Sequence, residues 1–485
     1  MMTVQEHVPS CDKKEVVLSD RLACDKPCQS DDMSCGRGPR IALLTPYNGG
    51  NLGDAVIQDA IIANIRLRLP DARFSGISLN CDNFVERHGV GSFPIDPVSL
   101  LRGTARRKAV GQPGSEEGLA DRSSHKRLNA ALIKRTLKRV PVLGWCLKTI
   151  YGWGKEFRHC VAGYHFLCAQ DLLIVSGGGQ LCDRWGGPWH HPFALFKWAV
   201  LARMAKIPYV VASVGASTEA SRTSRLFLSA ALRMARYRSY RDKNSRDFAI
   251  GLVSRAAGDS VVPDAAFSLP SSKLPRPAGI RALAQGRTIV ALSPIAYAKP
   301  GRWPHEDRAL HNRYVQQMAR VALQLLERGY FLVIVCSSLS DDESVIPEIL
   351  GCLDQKSKKR FVQQMHIATI TGWQDLMASL MDVDFLIASR LHSVILGFVS
   401  QRPTIAISFH PKVDWVMEDL GQTDYLLQIR DFTAQHVIET LDRLALRKNG
   451  VIEQIGSYQH RILSVLAAQY DALAQLATVS RRHRN

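Results

Sequence analysis

Beyond residue 39 the chain alternates between two hydrophobic rhythms. Short runs of apolar and β-branched residues predict strands at 41–45, 73–79, 171–176, 209–214, 237–240 and 260–262. Between some of them apolar side chains return every three or four residues, as at 55–69, the spacing of a helix with one buried face. Continuous apolar strands separated by helices are the pattern of a parallel sheet covered on both sides. Residues 271–286 hold several Pro and Gly in a polar setting and read as a linker. The pattern then repeats, with strands at 288–292, 330–337, 385–388 and 404–407 and a helix at 314–327. The expectation is two α/β lobes of the nucleotide-binding type, 39–270 and 287–430, with a cleft between them. C-terminal helices within 431–485, at 434–446 and 458–476, are expected to lie across both.

Two segments break the rhythm. Residues 1–38 show neither period and predict a mobile arm. Cys24, Cys28 and Cys35 in that arm lack the paired C-x2-C spacing of a structural zinc site. The eleven cysteines of the chain are scattered and odd in number, which suits reduced thiols inside the cell. The second break is an insertion at about 100–165. In it Leu128, Leu132, Ile133, Leu137 and Val140 share a helical face, Lys134, Arg135, Lys138 and Arg139 lie elsewhere, and Pro141 is expected to end the helix. That helix reads either as a foot for an anionic membrane surface or as an amphipathic element packed on the body.

The net charge of +18 suggests nucleic acid until it is located along the chain. Eleven Lys or Arg against three acidic residues between Arg102 and Arg139 carry +8 of it, and Arg481, Arg482 and Arg484 carry three more. The remaining +7 is ordinary for a body that binds anionic substrates. No zinc-finger spacing or RNA-binding aromatic signature accompanies it, so no nucleic-acid partner is expected. No apolar run reaches the roughly 20 residues of a membrane span, and the first residues do not read as a secretory signal. The expected location is cytoplasmic, at most peripheral at the inner face of the membrane.

In open parallel sheets ligands gather at the carboxyl ends of strands. The loop after the first strand, Asn48-Gly49-Gly50-Asn51-Leu52-Gly53-Asp54, lets backbone N–H groups approach a ligand and opens into a helix N-terminus that favours an anion. It is not G-x-G-x-x-G, and a simple tight connection remains the alternative. Three consecutive glycines, Gly177, Gly178 and Gly179, precede Gln180 after the third strand. Gly215 and then Arg241 follow the next two, and Arg241 either forks onto a carboxylate or phosphate or pairs with a neighbouring aspartate. In the second lobe Ser389-Arg390-Leu391-His392 and His410-Pro411-Lys412 each put a histidine and a cation past a strand end; Lys412 either touches the ligand or faces solvent.

The ordered set Asn51-Leu52-Gly53-Asp54, Ser176-Gly177-Gly178-Gly179-Gln180, Val214-Gly215, Arg241-Asp242-Lys243-Asn244-Ser245, Pro263-Asp264, Ser389-Arg390-Leu391-His392 and Pro411-Lys412 resembles the polysaccharide pyruvyl transferases. Phe409-His410 departs from the family pattern. The resemblance implies a fold like that of the two-lobed (GT-B type) glycosyltransferases and transfer of pyruvate from phosphoenolpyruvate to a saccharide acceptor, free or lipid-linked, as a ketal. It points to Arg390, His392 and Arg241 as donor-binding or catalytic residues. Asn51, Gly53, Asp54, Gly177, Gly178, Gly179, Gln180, Gly215, Asp264 and Lys412 are the expected substrate-binding set. The chemistry asks for an acid and several cations, and calls for no metal or redox cofactor. Two rivals stay open: a nucleotide-sugar glycosyltransferase of the same architecture, and a non-catalytic relative that binds polysaccharide or membrane.

Overall fold

The computed structural model describes residues 38–97, 141–183, 186–217, 220–303, 305–339 and 341–482, with the backbone alone at 141–151. The expected arm, its cysteines and the helix expected at 128–140 lie outside the described residues. The first sheet has seven strands: β1 (Arg40–Leu44), β2 (Arg73–Ser78), β3 (Ser92–Pro94), β4 (Leu172–Ser176), β5 (Tyr209–Val214), β6 (Tyr237–Tyr240) and β7 (Ser260–Val261). They run parallel in the order β3-β2-β1-β4-β5-β6-β7. The second has six: β8 (Ile289–Ser293), β9 (Phe331–Ile334), β10 (Met365–Ile367), β11 (Phe385–Ala388), β12 (Thr404–Ser408) and β13 (Leu426–Gln428). Their order is β10-β9-β8-β11-β12-β13, again parallel. The order reverses between β1 and β4 in one sheet and between β8 and β11 in the other, and such switch points are where parallel sheets open a crevice.

The period of 2 explains the layering. Ile41, Leu43, Leu172 and Ile174 point into one core, and Ala42, Leu44, Leu173 and Val175 into another on the opposite face. The first of these cores runs on without a break into the second lobe and the C-terminal helices. Helix Lys448–Arg482 is 35 residues long and, among the described residues, the one helix long and apolar enough to cross a membrane. Its side chains instead tie the lobes together. Gln459 donates to Phe398 O in the second lobe, while Arg68 in the first donates to Asp471 and to Ala467 O and Tyr470 meets Ser268.

Pro141 opens a further helix, Pro141–Cys168. Proline suits a first turn, whose N–H has no intrahelical partner to lose. That helix packs beside helix His191–Met204, so the last part of the expected insertion, 141–165, belongs to a crossover helix of the first sheet.

Candidate active site

Three glycines of the first lobe are sites where another residue takes the room of a side chain. At the start of helix Leu52–Arg68 the Asn51 side chain accepts from Gly53 N at 3.1 Å and donates to the Asp54 carboxylate at 2.9 Å. This cap turns Gly53 toward the second lobe, where a Cβ would lie 1.9 Å from Cγ of His392. A Cβ on Gly215 would lie 2.4 Å from Nη2 of Arg241, and one on Gly179 would lie 2.8 Å from Nζ of Lys412. The switch-point loops thus bring His392 and Lys412 of one lobe onto the glycine edge of the other. Backbone bonds from Leu52 N to Ser337 O and from Leu339 N to Gly50 O join the lobes beside them. Gly177 and Gly178 adopt φ of +55° and +68°, and only glycine enters that region cheaply. Gly178 faces Asp54, while Gly177 gives way to Ile57 and has a packing role.

Arg241 stands at the centre. Its guanidinium is buried between two aspartates, with Nη1 3.3 Å from Asp264 Oδ2 and Nε 3.5 Å from Asp242 Oδ2. Both carboxylates are fixed by the backbone, Asp242 accepting from Ser245 N and Asp264 from Ala266 N. Nε2 of His392 lies 3.7 Å from the same Asp264 Oδ2, longer than a hydrogen bond. Nη2 of Arg241 and Nε2 of His392 are buried and have no hydrogen-bond partner among the described residues. Buried donors left unsatisfied are costly, and in a cleft they mark the place of a ligand.

The two carboxyls of the site are driven apart. Burial would raise Asp264, but the adjoining His392 ring, the Arg241 guanidinium and the Ala266 N–H outweigh it and hold the carboxyl down at about 2. Burial, reinforced by the nearby Asp264 charge, pushes Asp54 above the usual carboxylate range despite the opposing pull of His392, Asn51 and Arg241. Such a split is how one site keeps a permanent anion beside a group able to exchange a proton.

Two expected site residues turn out otherwise engaged. Gln180 is fully buried, donates to Leu44 O at 3.2 Å and faces His191 Nε2 at 3.2 Å, so it braces the sheet behind the cleft. Arg390 makes a two-pronged pair with Asp342, Nε to Oδ2 and Nη2 to Oδ1 both at 2.8 Å, and Asp342 also accepts from Ala296 N. Asp342 escapes a reading by motif; its one signal is its place in the acidic turn after β9. Gln469, also unforeseen, reaches from the C-terminal helix to Ser213 and Ser239. It supports Ser213, whose φ of +52° bends β5 just before Gly215. The rings of Tyr297, Trp303 and Phe409 meet edge-on or tilted at 5.4–6.4 Å between centroids. A recess of about 140 Å³ opens there, lined by Tyr297, Phe409, Gln428, Arg430 and Asp431 among others.

A family model described as polysaccharide pyruvyl transferase matches residues 51–411, from the cap of the first helix to Pro411. The chain belongs to the polysaccharide pyruvyl transferase family. It is accordingly a transferase. Every candidate residue except Lys412 falls inside the matched span. No curated protein matches the sequence. Among solved structures, a Listeria monocytogenes protein assigned as a UDP-N-acetylglucosamine 2-epimerase superposes with a TM-score of 0.52 at 10% identity, covering 89% of this chain and 97% of its own. The Neisseria meningitidis UDP-GlcNAc 2-epimerase bound to UDP-GlcNAc gives 0.47 at 10% identity, covering 88% and 99%. At 10% identity the likeness to the Listeria protein concerns the fold alone, and this pyruvyl transferase has the two-lobed GT-B architecture.

Proposed function

We propose that the enzyme moves pyruvate from phosphoenolpyruvate onto two hydroxyls of one sugar, forming a ketal and releasing phosphate. The acceptor is a sugar of a cell-surface polysaccharide or of its lipid-linked precursor. The observation that carries the reading is the pair of unpartnered buried donors, Arg241 Nη2 and His392 Nε2, set around Asp264 between two bare glycine backbones. A small dianion with a carboxylate supplies the acceptor oxygens these donors lack. Arg241 and Lys412 hold the donor's carboxylate and phosphate, with the N-termini of helices Leu52–Arg68 and Leu391–Val399 adding positive field. Arg390 contributes from the place in which Asp342 fixes it.

The double-bond electrons of the donor take a proton from His392 to make the methyl group, and the first hydroxyl adds to the electron-poor central carbon. Its proton leaves to a base, the C–O bond to phosphate then breaks, and the second hydroxyl closes the ketal with loss of its own proton. Asp264, 3.7 Å from the imidazole, offsets its charge, and Asp54, whose carboxyl binds a proton more tightly than usual, is placed to receive a hydroxyl proton. The recess walled by Tyr297 and Phe409 offers ring faces for a sugar, with Gln428, Arg430 and Asp431 for its hydroxyls.

The test is acceptor-dependent phosphate release from phosphoenolpyruvate over a panel of β-galactosides, mannosides and glucosides, with His392→Ala as the control. Release that needs acceptor and collapses in the variant supports the reading. Transfer from a nucleotide sugar with none from phosphoenolpyruvate sinks it.

A further inference from the structure

Three neighbouring helices of the first lobe turn an aromatic surface to solvent. On helix Pro141–Cys168, Trp153, Phe157 and Val161 are spaced four apart and therefore form one stripe, exposed by 62%, 70% and 42%. Helix His191–Met204 lies alongside, joined by Lys197 to Glu156 at 2.6 Å, with the same ammonium 6.0 Å from the centroid of the Phe193 ring. Phe193 and Phe196 each meet Phe227 of helix Arg222–Met234 at 5.5 Å, and Trp189 meets Phe193 and Phe227 at 5.8 and 5.3 Å. Trp189 and Leu226 are themselves 61% and 64% exposed. Water-facing Trp153, Phe157, Trp189 and Leu226, backed by the half-buried rings of Phe193, Phe196 and Phe227, exceed the scattered apolar residues of an ordinary surface.

The patch borders the edge that carries the candidate active site. Helix His191–Met204 follows β4 and helix Arg222–Met234 follows β5, so both start at the carboxyl edge of the sheet, as does the Gly177–Gly179 turn. Asp183, just beyond that turn, accepts from Ser221 N and Ser224 Oγ and pins the start of helix Arg222–Met234 to it. Arg158, Arg222 and Arg225 are exposed on the same helices as the aromatic residues.

We infer that this aromatic face, with the exposed arginines of its helices, docks on an anionic lipid surface. Trp and Phe are the side chains that settle at the boundary of headgroups and hydrocarbon, and the exposed Arg158, Arg222 and Arg225 on the same helices match anionic headgroups. A second copy of the chain fits less well, because a twofold contact would set these arginines against their equals. The inference does not depend on the identity of the donor substrate.

The test is co-sedimentation of the full chain with vesicles of zwitterionic lipid, with and without anionic lipid. Wild type should pellet with the anionic vesicles and be released by salt. Trp153→Ser with Phe157→Ser should lower the partition coefficient about tenfold or more. Arg158→Gln, Arg222→Gln and Arg225→Gln together should lower it roughly fivefold for each charge removed. Both variants change exposed side chains, so melting temperature and phosphate release with a short soluble acceptor should match wild type. If the aromatic variant fails to fold, the arginine variant decides alone. Three results overturn the inference: wild type that ignores anionic vesicles, variants that pellet like wild type, or a wild-type dimer that the aromatic variant splits.

Discussion

Arg241 and Arg390 stand at equivalent places, each just past the carboxyl end of a strand, β6 and β11, yet their surroundings differ. Arg390 spends Nε and Nη2 on one buried aspartate in a planar fork, both at 2.8 Å. Arg241 is held by two aspartates at longer and offset distances, 3.3 and 3.5 Å, and keeps Nη2 without a hydrogen-bond partner among the described residues. A guanidinium whose fork is filled by a carboxylate has little to offer a second anion, whereas one held loosely by its sides is preorganised for it. The comparison separates an arginine whose fork is filled by one aspartate from an arginine that keeps a nitrogen over.

The largest expected effect tests that separation directly. Arg241→Lys keeps the charge and loses the fork, and phosphate release should fall about 10²- to 10³-fold while thermal unfolding changes little. If Arg390→Lys gives that result and Arg241→Lys is tolerated, the comparison is reversed. Next in size, Asp342→Asn should cost roughly 3 kcal/mol in chemical denaturation, because it leaves the Arg390 charge without its counterion. The same substitution should reduce transfer only through loss of position.

Asp264 links the comparison to pH. Its folded carboxyl is held at about 2, below the unfolded value near 4, so it stabilises the fold at all pH above that unfolded value. That contribution, roughly 2 kcal/mol, is lost as pH falls through the folded value, and Asp264→Asn should flatten the acid limb of a stability-against-pH curve. The smallest effect has the opposite sign. Asp54 is raised chiefly by burial, so its ionised form is a burden at neutral pH. Asp54→Asn, which keeps an oxygen for the Asn51 amide, should raise the melting temperature slightly while lowering transfer, a trade expected where a group is kept for chemistry.

Much of this was legible along the chain because parallel strands buried on both faces are continuous apolar runs. β5, β6 and β11 fall at the expected 209–214, 237–240 and 385–388. β3, β10 and β13 escape because each is an edge strand of three residues with no fully buried position, too short to show a period. Helix His191–Met204 escapes for the opposite reason: it is buried on several sides, and its apolar residues blur the period. At the candidate site, Gly53, Gly179 and Gly215 could be singled out as backbone approaches. What approaches them comes from elsewhere in the chain: His392, Lys412 and Arg241.

The sequence by itself determined the two α/β blocks, the loops at their strand ends and the residue types held there. Such features are local, written in periodicity and in glycines that tolerate φ > 0. Only the tertiary structure decided which arginine is spent and which is open, and that Gln180 faces the sheet. It also decided that Asp54 and Asp264 hold protons so differently. These outcomes rest on contacts between residues from tens to hundreds of positions apart, and the energy of a buried charge is set by neighbours in space, which no local pattern records.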